Sequence, residues 1–157
     1  MQNNITEIPE IRSNLVFLYP QVTSDKELIQ LMAQRLINED LVNRDFLEAI
    51  LERENEYPTG VPIGEIAAAI PHTDAVHVKR SAMVVSILKD PVYFANMANP
   101  DQKLPVQIVF MLAMKEPAFQ VSWLKKLLKF LNTPQNLQTL QTIKTEQDMV
   151  DYLHNHL

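Results

Sequence analysis

The chain has no cysteine. That excludes a disulfide framework, a thiolate metal site and a cysteine nucleophile within this polypeptide, and it fits a reducing cytoplasm. Glycine is nearly as scarce, with only Gly60 and Gly64 in 157 residues. A glycine-rich loop that cradles phosphates is therefore missing, and a nucleotide-binding kinase is unsupported. Basic residues are outnumbered, 14 Lys and Arg against 19 Asp and Glu, for a formal charge of −5. The densest basic clusters, Lys79-Arg80 and Lys125-Lys126 with Lys129, lack the interleaved aromatics of a single-strand platform, which argues against nucleic-acid binding. No apolar run approaches the ~18–20 residues needed to cross a bilayer, and the N-terminus lacks a basic segment leading into an apolar one. A soluble cytoplasmic protein is expected, with any membrane role exercised through a partner. Neither Ser81 nor Ser86 sits in a G-x-S-x-G elbow.

What is present suits one globular domain spanning 1–157, since domains commonly run ~100–200 residues. The hydrophobic share of 46% is enough for a core without a staple. Residues 1–12 are polar and mixed and read as a loose arm. Leu15 to Tyr19 is a short apolar run stopped by Pro20, a first strand. Ser24-Asp-Lys-Glu27 has the S-x-x-E form of a capping box before a helix lined by Leu28, Leu31, Met32 and Leu36. A second helix starts near Asn43, with Phe46, Leu47, Ile50 and Leu51 apolar and Glu48, Glu52, Arg53 and Glu54 polar. Pro58-Thr59-Gly60 opens a turn, and Ile66 to Ile70 reads as a buried strand ended by Pro71. Ser81 to Leu88 predicts another strand, Lys89-Asp90-Pro91 a turn, and Val92 to Phe94 a short edge segment. Val106 to Met114, almost continuously apolar, predicts a central strand buried on both faces. Pro117, Thr133-Pro134 and Thr145 open three further helices. Strands alternating with helices make the class α/β.

Chemistry concentrates just past the second predicted strand, where an α/β sheet presents its ligands. His72 follows Pro71, and Thr73, Asp74, His77, Lys79 and Arg80 come close behind. The other two of the four histidines, His154 and His156, lie in the final four residues, where a frayed tail is the ordinary reading. His72, Asp74 and His77 have the form H-x-D-x-x-H, a conceivable metal triad, but no second such cluster accompanies it, and no metal or cofactor is expected. An imidazole acting as its own nucleophile remains, mostly neutral near pH 7 with one nitrogen free to accept a phosphoryl group. The bland alternative is a strand-end histidine satisfied by hydrogen bonds. Thr73 can donate to phosphoryl oxygens, and Arg53 can pair with them if the fold brings it near.

Arg53-Glu54, Pro58-Thr59-Gly60, Gly64 and Ala69-Ile70-Pro71-His72 together resemble the signature of enzyme IIA of the fructose/mannitol superfamily. These are phosphocarrier domains of the bacterial phosphoenolpyruvate-dependent sugar phosphotransferase system. The continuation His72-Thr-Asp-Ala-Val-His77-Val-Lys79 is similar to the galactitol-type branch, and the resemblance covers about residues 12–153. It implies one domain with a central mixed sheet of about five strands and helices on both sides. It also implies that His72 accepts a phosphoryl group from phospho-HPr and passes it to a cysteine of a separate enzyme IIB, with membrane component IIC coupling transfer to uptake of a polyol such as galactitol. A regulatory enzyme IIA, whose phosphorylation state controls a protein partner, is the alternative. Arg53, Thr59, Thr73, His77 and Gln120 are the expected phosphoryl-stabilising residues around the catalytic His72. Gln120 stands where mannitol and fructose members carry a second histidine, and Ala68 where many relatives carry glycine. An apolar rim for HPr and enzyme IIB is expected near His72, with Phe94, Met97 and Trp123 as candidates against the commoner fate of core packing.

Overall fold

The computed structural model describes residues 7–157. Of the loose arm expected over 1–12, residues 1–6 lie outside the described residues. The rest is held: Glu10 bridges to Ala82, its carbonyl accepts from Met83 N–H, and Ile11 is buried. Arg12 pairs with Glu10 and Glu39. The arm reads as polar in sequence because its few apolar contacts are made with a distant strand.

Five strands form one mixed sheet: β1 (Val16–Leu18), β2 (Gly60–Ile63), β3 (Ile66–Ala69), β4 (Ala82–Ala95) and β5 (Lys103–Ala113), in the order β1-β4-β5-β3-β2. β1 runs parallel to β4 and β3 parallel to β5, while the β4–β5 and β2–β3 pairs are antiparallel. Five helices cover it: α1 (Asp25–Asn38), α2 (Phe46–Glu56), α3 (Pro117–Leu131), α4 (Pro134–Thr142) and α5 (Glu146–His156). Ser24 Oγ caps α1 at Glu27 N–H, while Glu27 returns a bond to Thr23 N–H, one residue before the cap. Thr145 caps α5 in the same way at Asp148 N–H.

Apolar side chains of the sheet divide between two cores. Val84, Val109 and Met111 pack with α1 and α2, whereas Val85, Phe110 and Leu112 pack with α3, α4 and α5. β5 lies mid-sheet and is buried on both faces from Ile108 to Ala113, as its continuous hydrophobicity requires.

Two local readings change. The Lys89-Asp90-Pro91 turn is a break in register within one continuous strand, between Ile87 and Val92, so the expected strand and edge segment are both β4. The stretch after Pro58 is more than a loop. Gly60–Ile63 forms edge strand β2, joined to β3 by a two-residue turn at Gly64-Glu65. Gly64 has φ +59°, the conformation wanted at the first central position of such a turn. Pro62 is tolerated because β2 is an edge. A Cβ on Gly60 would lie 2.5 Å from the Ala95 carbonyl oxygen, so only glycine lets β2 approach β4's end.

Candidate functional site

Pro71 ends β3, and its carbonyl accepts a hydrogen bond from Leu112 N–H at 3.0 Å, which ties the strand end to β5. The next residue, His72, is half-buried. Its Nδ1 lies 2.8 Å from the carbonyl oxygen of Ile70. A carbonyl only accepts, so Nδ1 carries the proton and Nε2 keeps its lone pair. Burial holds the imidazole pKa below its ordinary value; the Ile70 bond and the Asp74 charge work against this, and the Arg53 charge adds to it. The ring is therefore neutral at pH 7 and nucleophilic at Nε2.

Arg53, on the last turns of α2, lies near enough to this ring for its charge to act on it. Its Nη1 is 3.6 Å from Asp74 Oδ1, and its guanidinium lies 4.8 Å over the Tyr57 ring. Arg53 Nε is buried with no protein partner among the described residues. A fixed cation with a spare donor beside a nucleophilic imidazole is what an incoming phosphoryl group needs. Asp74 thus pairs with Arg53. Among the described residues no group of three His, Asp and Glu side chains is placed to hold a metal ion.

Thr59 is brought close but is otherwise engaged. Its hydroxyl has one proton, and that goes to Glu54 Oε1 at 2.8 Å; its oxygen accepts Ile70 N–H at 3.2 Å, and the residue is only 3% exposed. It supports the strand that carries His72 and has no donor left for a phosphoryl group. His77 lies toward a different group: its Nδ1 is 3.0 Å from Asp45 Oδ1, at the start of α2, but without the alignment of a hydrogen bond. The short 75–77 turn directs it there, His77 N–H bonding to the Asp74 carbonyl. Thr73 is buried directly after His72. Gln120 lies in the first turns of α3, which follows β5 from the strand end that holds Pro71, and its Oε1 is buried without a partner among the described residues. Of the three rim candidates, Phe94 and Trp123 are core, 0% and 2% exposed, with Trp123 Nε1 donating to the Glu7 carbonyl. Met97 is exposed, as are Tyr57 and Val76.

Its charge places Glu54 on a polar face, yet it is buried, 7% exposed, with Oε2 on Thr59 N–H and Oε1 on the Thr59 hydroxyl. The signal lay in spacing: Phe46, Ile50 and Glu54 follow one another at four-residue steps and form the buried stripe of α2. Burial pushes the Glu54 carboxyl up to about 7, against the lowering effect of its two bonds to Thr59.

The PTS system galactitol-specific EIIA component of Escherichia coli K12 is 28% identical over 137 residues, 87% of either chain. The transcriptional regulator ManR of Bacillus subtilis is 32% identical over 115 residues, 73% of this chain and 15% of ManR. The enzyme IIA of the mannitol system, solved in complex with phosphorylated enzyme IIB of that system from Escherichia coli, has the same fold, with a TM-score of 0.76 at 18% identity over 94% of this chain and 99% of that one. Residues 11–156 match the family described as phosphoenolpyruvate-dependent sugar phosphotransferase system, EIIA 2. With its mixed sheet, its proline-ended strand and all but the ends of its sequence inside that match, the chain belongs to the EIIA 2 family of the sugar phosphotransferase system.

Proposed function

We propose that this chain is a cytoplasmic phosphocarrier in which His72 Nε2 takes a phosphoryl group from phospho-HPr and gives it to a cysteine of a separate enzyme IIB. Component IIC would couple that phosphate to entry of a polyol, with galactitol favoured by the similarity to the galactitol-specific protein. One observation carries the reading: the Nδ1 of His72 is tied to Ile70 at the end of a rigid strand, so the opposite nitrogen faces the reaction as a lone pair. In the first step that lone pair forms the bond to phosphorus while the bond from phosphorus to its donor breaks, and no proton is transferred to the ring. In the second a thiolate attacks the same phosphorus, and the electron pair of the N–P bond returns to Nε2. Arg53 balances charge on the equatorial oxygens in both directions. The buried Gln120 amide, whose oxygen and nitrogen can exchange places by rotation, supplies a neutral donor where relatives carry an imidazolium. Neutral donors hold the phosphohistidine less tightly, which keeps onward transfer from stalling. Thr73 stands by sequence at the same rim.

Incubation with phosphoenolpyruvate, enzyme I and HPr is expected to yield an acid-labile, base-stable phosphate on the wild type and none on His72→Ala. Label that survives the substitution removes His72 from the mechanism. A second reading is favoured by the likeness to ManR: a regulatory enzyme IIA whose phosphorylation controls a protein partner. Transfer from the labelled protein to enzyme IIB encoded nearby separates the two, since a purely regulatory protein keeps its phosphate.

A further inference from the structure

Behind the imidazole, hydrogen bonds run in series to a carboxylate that the phosphocarrier reading does not use. Glu54 holds Thr59 through both its N–H and its hydroxyl, each at 2.8 Å. Thr59 Oγ1 holds Ile70 N–H at 3.2 Å, and Ile70 O holds His72 Nδ1 at 2.8 Å. Glu54 also lines a cavity of about 210 Å³, whose charged and polar lining residues are Asp25 and Lys26 of α1, Asn55 of α2 and Lys103 of β5, beside apolar residues such as Ile29 and Leu51. A buried carboxyl is thus joined to the ring through hydrogen bonds in series, and its residue borders a cavity that also carries charged groups.

We propose that Glu54 is a positioning residue for phosphoryl transfer, clamping Thr59 and through it the Ile70–His72 segment when ionised and slackening that segment when protonated. Two neutral donors from Thr59 need only neutral acceptors, and a carboxylate costs more to bury than an amide of the same shape. Ionisation adds strength to both bonds. Because burial pushes this carboxyl up to about 7, the clamp tightens and loosens across the pH range in which a cell works. Asp25 pushes in the same direction, Lys26 and Lys103 line the same cavity, and the adjacent Arg53 is paired with Asp74. The proposal rests on the phosphocarrier reading for its rate arm but not for its spectroscopic arm.

The test follows the ring nitrogens of His72 by 15N NMR from pH 5.5 to 8.5, with no phosphoryl donor, beside the rate of transfer from phospho-HPr. In the wild type the His72 shifts should show an inflection near pH 7 apart from the ring's own titration. The transfer rate should rise about three- to tenfold across that inflection, the effect of roughly one strengthened hydrogen bond. In Glu54→Gln, checked as folded by its amide spectrum, both the inflection and that rise should vanish, leaving only the His72 limb at lower pH. Thr59→Ser should keep the behaviour and Thr59→Val abolish it. A wild type without the inflection overturns the proposal even if the variants do not fold. A folded Glu54→Gln with unchanged His72 shifts and an unchanged rate profile overturns it too. If the shifts behave as expected but no phosphate reaches His72, the positioning chain stands and the phosphocarrier reading falls.

Discussion

At the scale of single residues, the chemistry of the site is a matter of which proton sits where. His72 is neutral because burial opposes its charged form, and its folded pKa lies below the ordinary value. The stability it contributes is present above about pH 6.5 and is lost as pH falls through the lower folded pKa, because the buried ring must then charge. Glu54 behaves in the opposite sense. Its folded value of about 7 lies above that of an exposed carboxyl, so the folded protein holds the proton more tightly than the unfolded chain. Its stabilising contribution is complete below about pH 4 and lost as pH rises through about 7. Relative to wild type, folded Glu54→Gln should therefore gain on the order of 3 kcal/mol between pH 4 and pH 8. Urea melts at both pH values check this, and an equal offset at the two would show that the carboxyl is not held high. Gln120→His tests the neutral donor: transfer in at least one direction should change several-fold, and equal rates both ways would place Gln120 outside the site. The sequence singled out His72 and left open whether the fold brings Arg53 near; the proline-ended strand gives the histidine its post, and the end of α2 places the arginine where its charge acts on the ring. It did not reveal that Thr59 is already hydrogen-bonded or that His77 lies beside Asp45. Their partners, Glu54 and Asp45, become neighbours only when α2 folds against the sheet and the 75–77 turn.

At the scale of elements, helices were the most legible part of the chain. Caps at Ser24 and Thr145 and prolines at the first positions of α3 and α4 mark their own boundaries. Strands were harder where the backbone alone does the work. β2 carries a glycine and a proline in four residues, both turn formers by local rule, and it is a strand only because β3 and the end of β4 offer partners. Gly60→Ala should be costly for this reason: a methyl group would meet a backbone oxygen that cannot swing aside. We expect a loss of about 2–4 kcal/mol, read from the denaturation midpoint, and a loosened His72 strand beside it. A cost below about 0.5 kcal/mol would mean that β2 is free to move away from Ala95. Lys89-Asp90-Pro91 misled in the same manner, since a bulge and a turn draw on the same residues.

At the scale of the whole molecule, a single sheet separates two apolar cores, and β5 belongs to both. Phe110 stands at 0% exposure in contact with the Phe130 ring at 6.1 Å between centroids. Phe110→Ala is expected to cost about 3–5 kcal/mol in a denaturant titration, with a smaller loss showing that the α3 side collapses onto the space. The same strand anchors Pro71 through Leu112, so the His72 ring is fixed to the most buried part of the fold. Composition and pattern by themselves determined the α/β class, the helices, the central strand and the histidine at its proline-ended neighbour, because periodicity, caps and proline geometry are written residue by residue. Only the tertiary structure decided that Arg12 and Ile11 are held down, that Trp123 and Phe94 are core, and that a glutamate charged on paper stands buried behind the His72 imidazole. Those outcomes depend on contacts between segments far apart in the chain, and no local rule encodes which surfaces will meet.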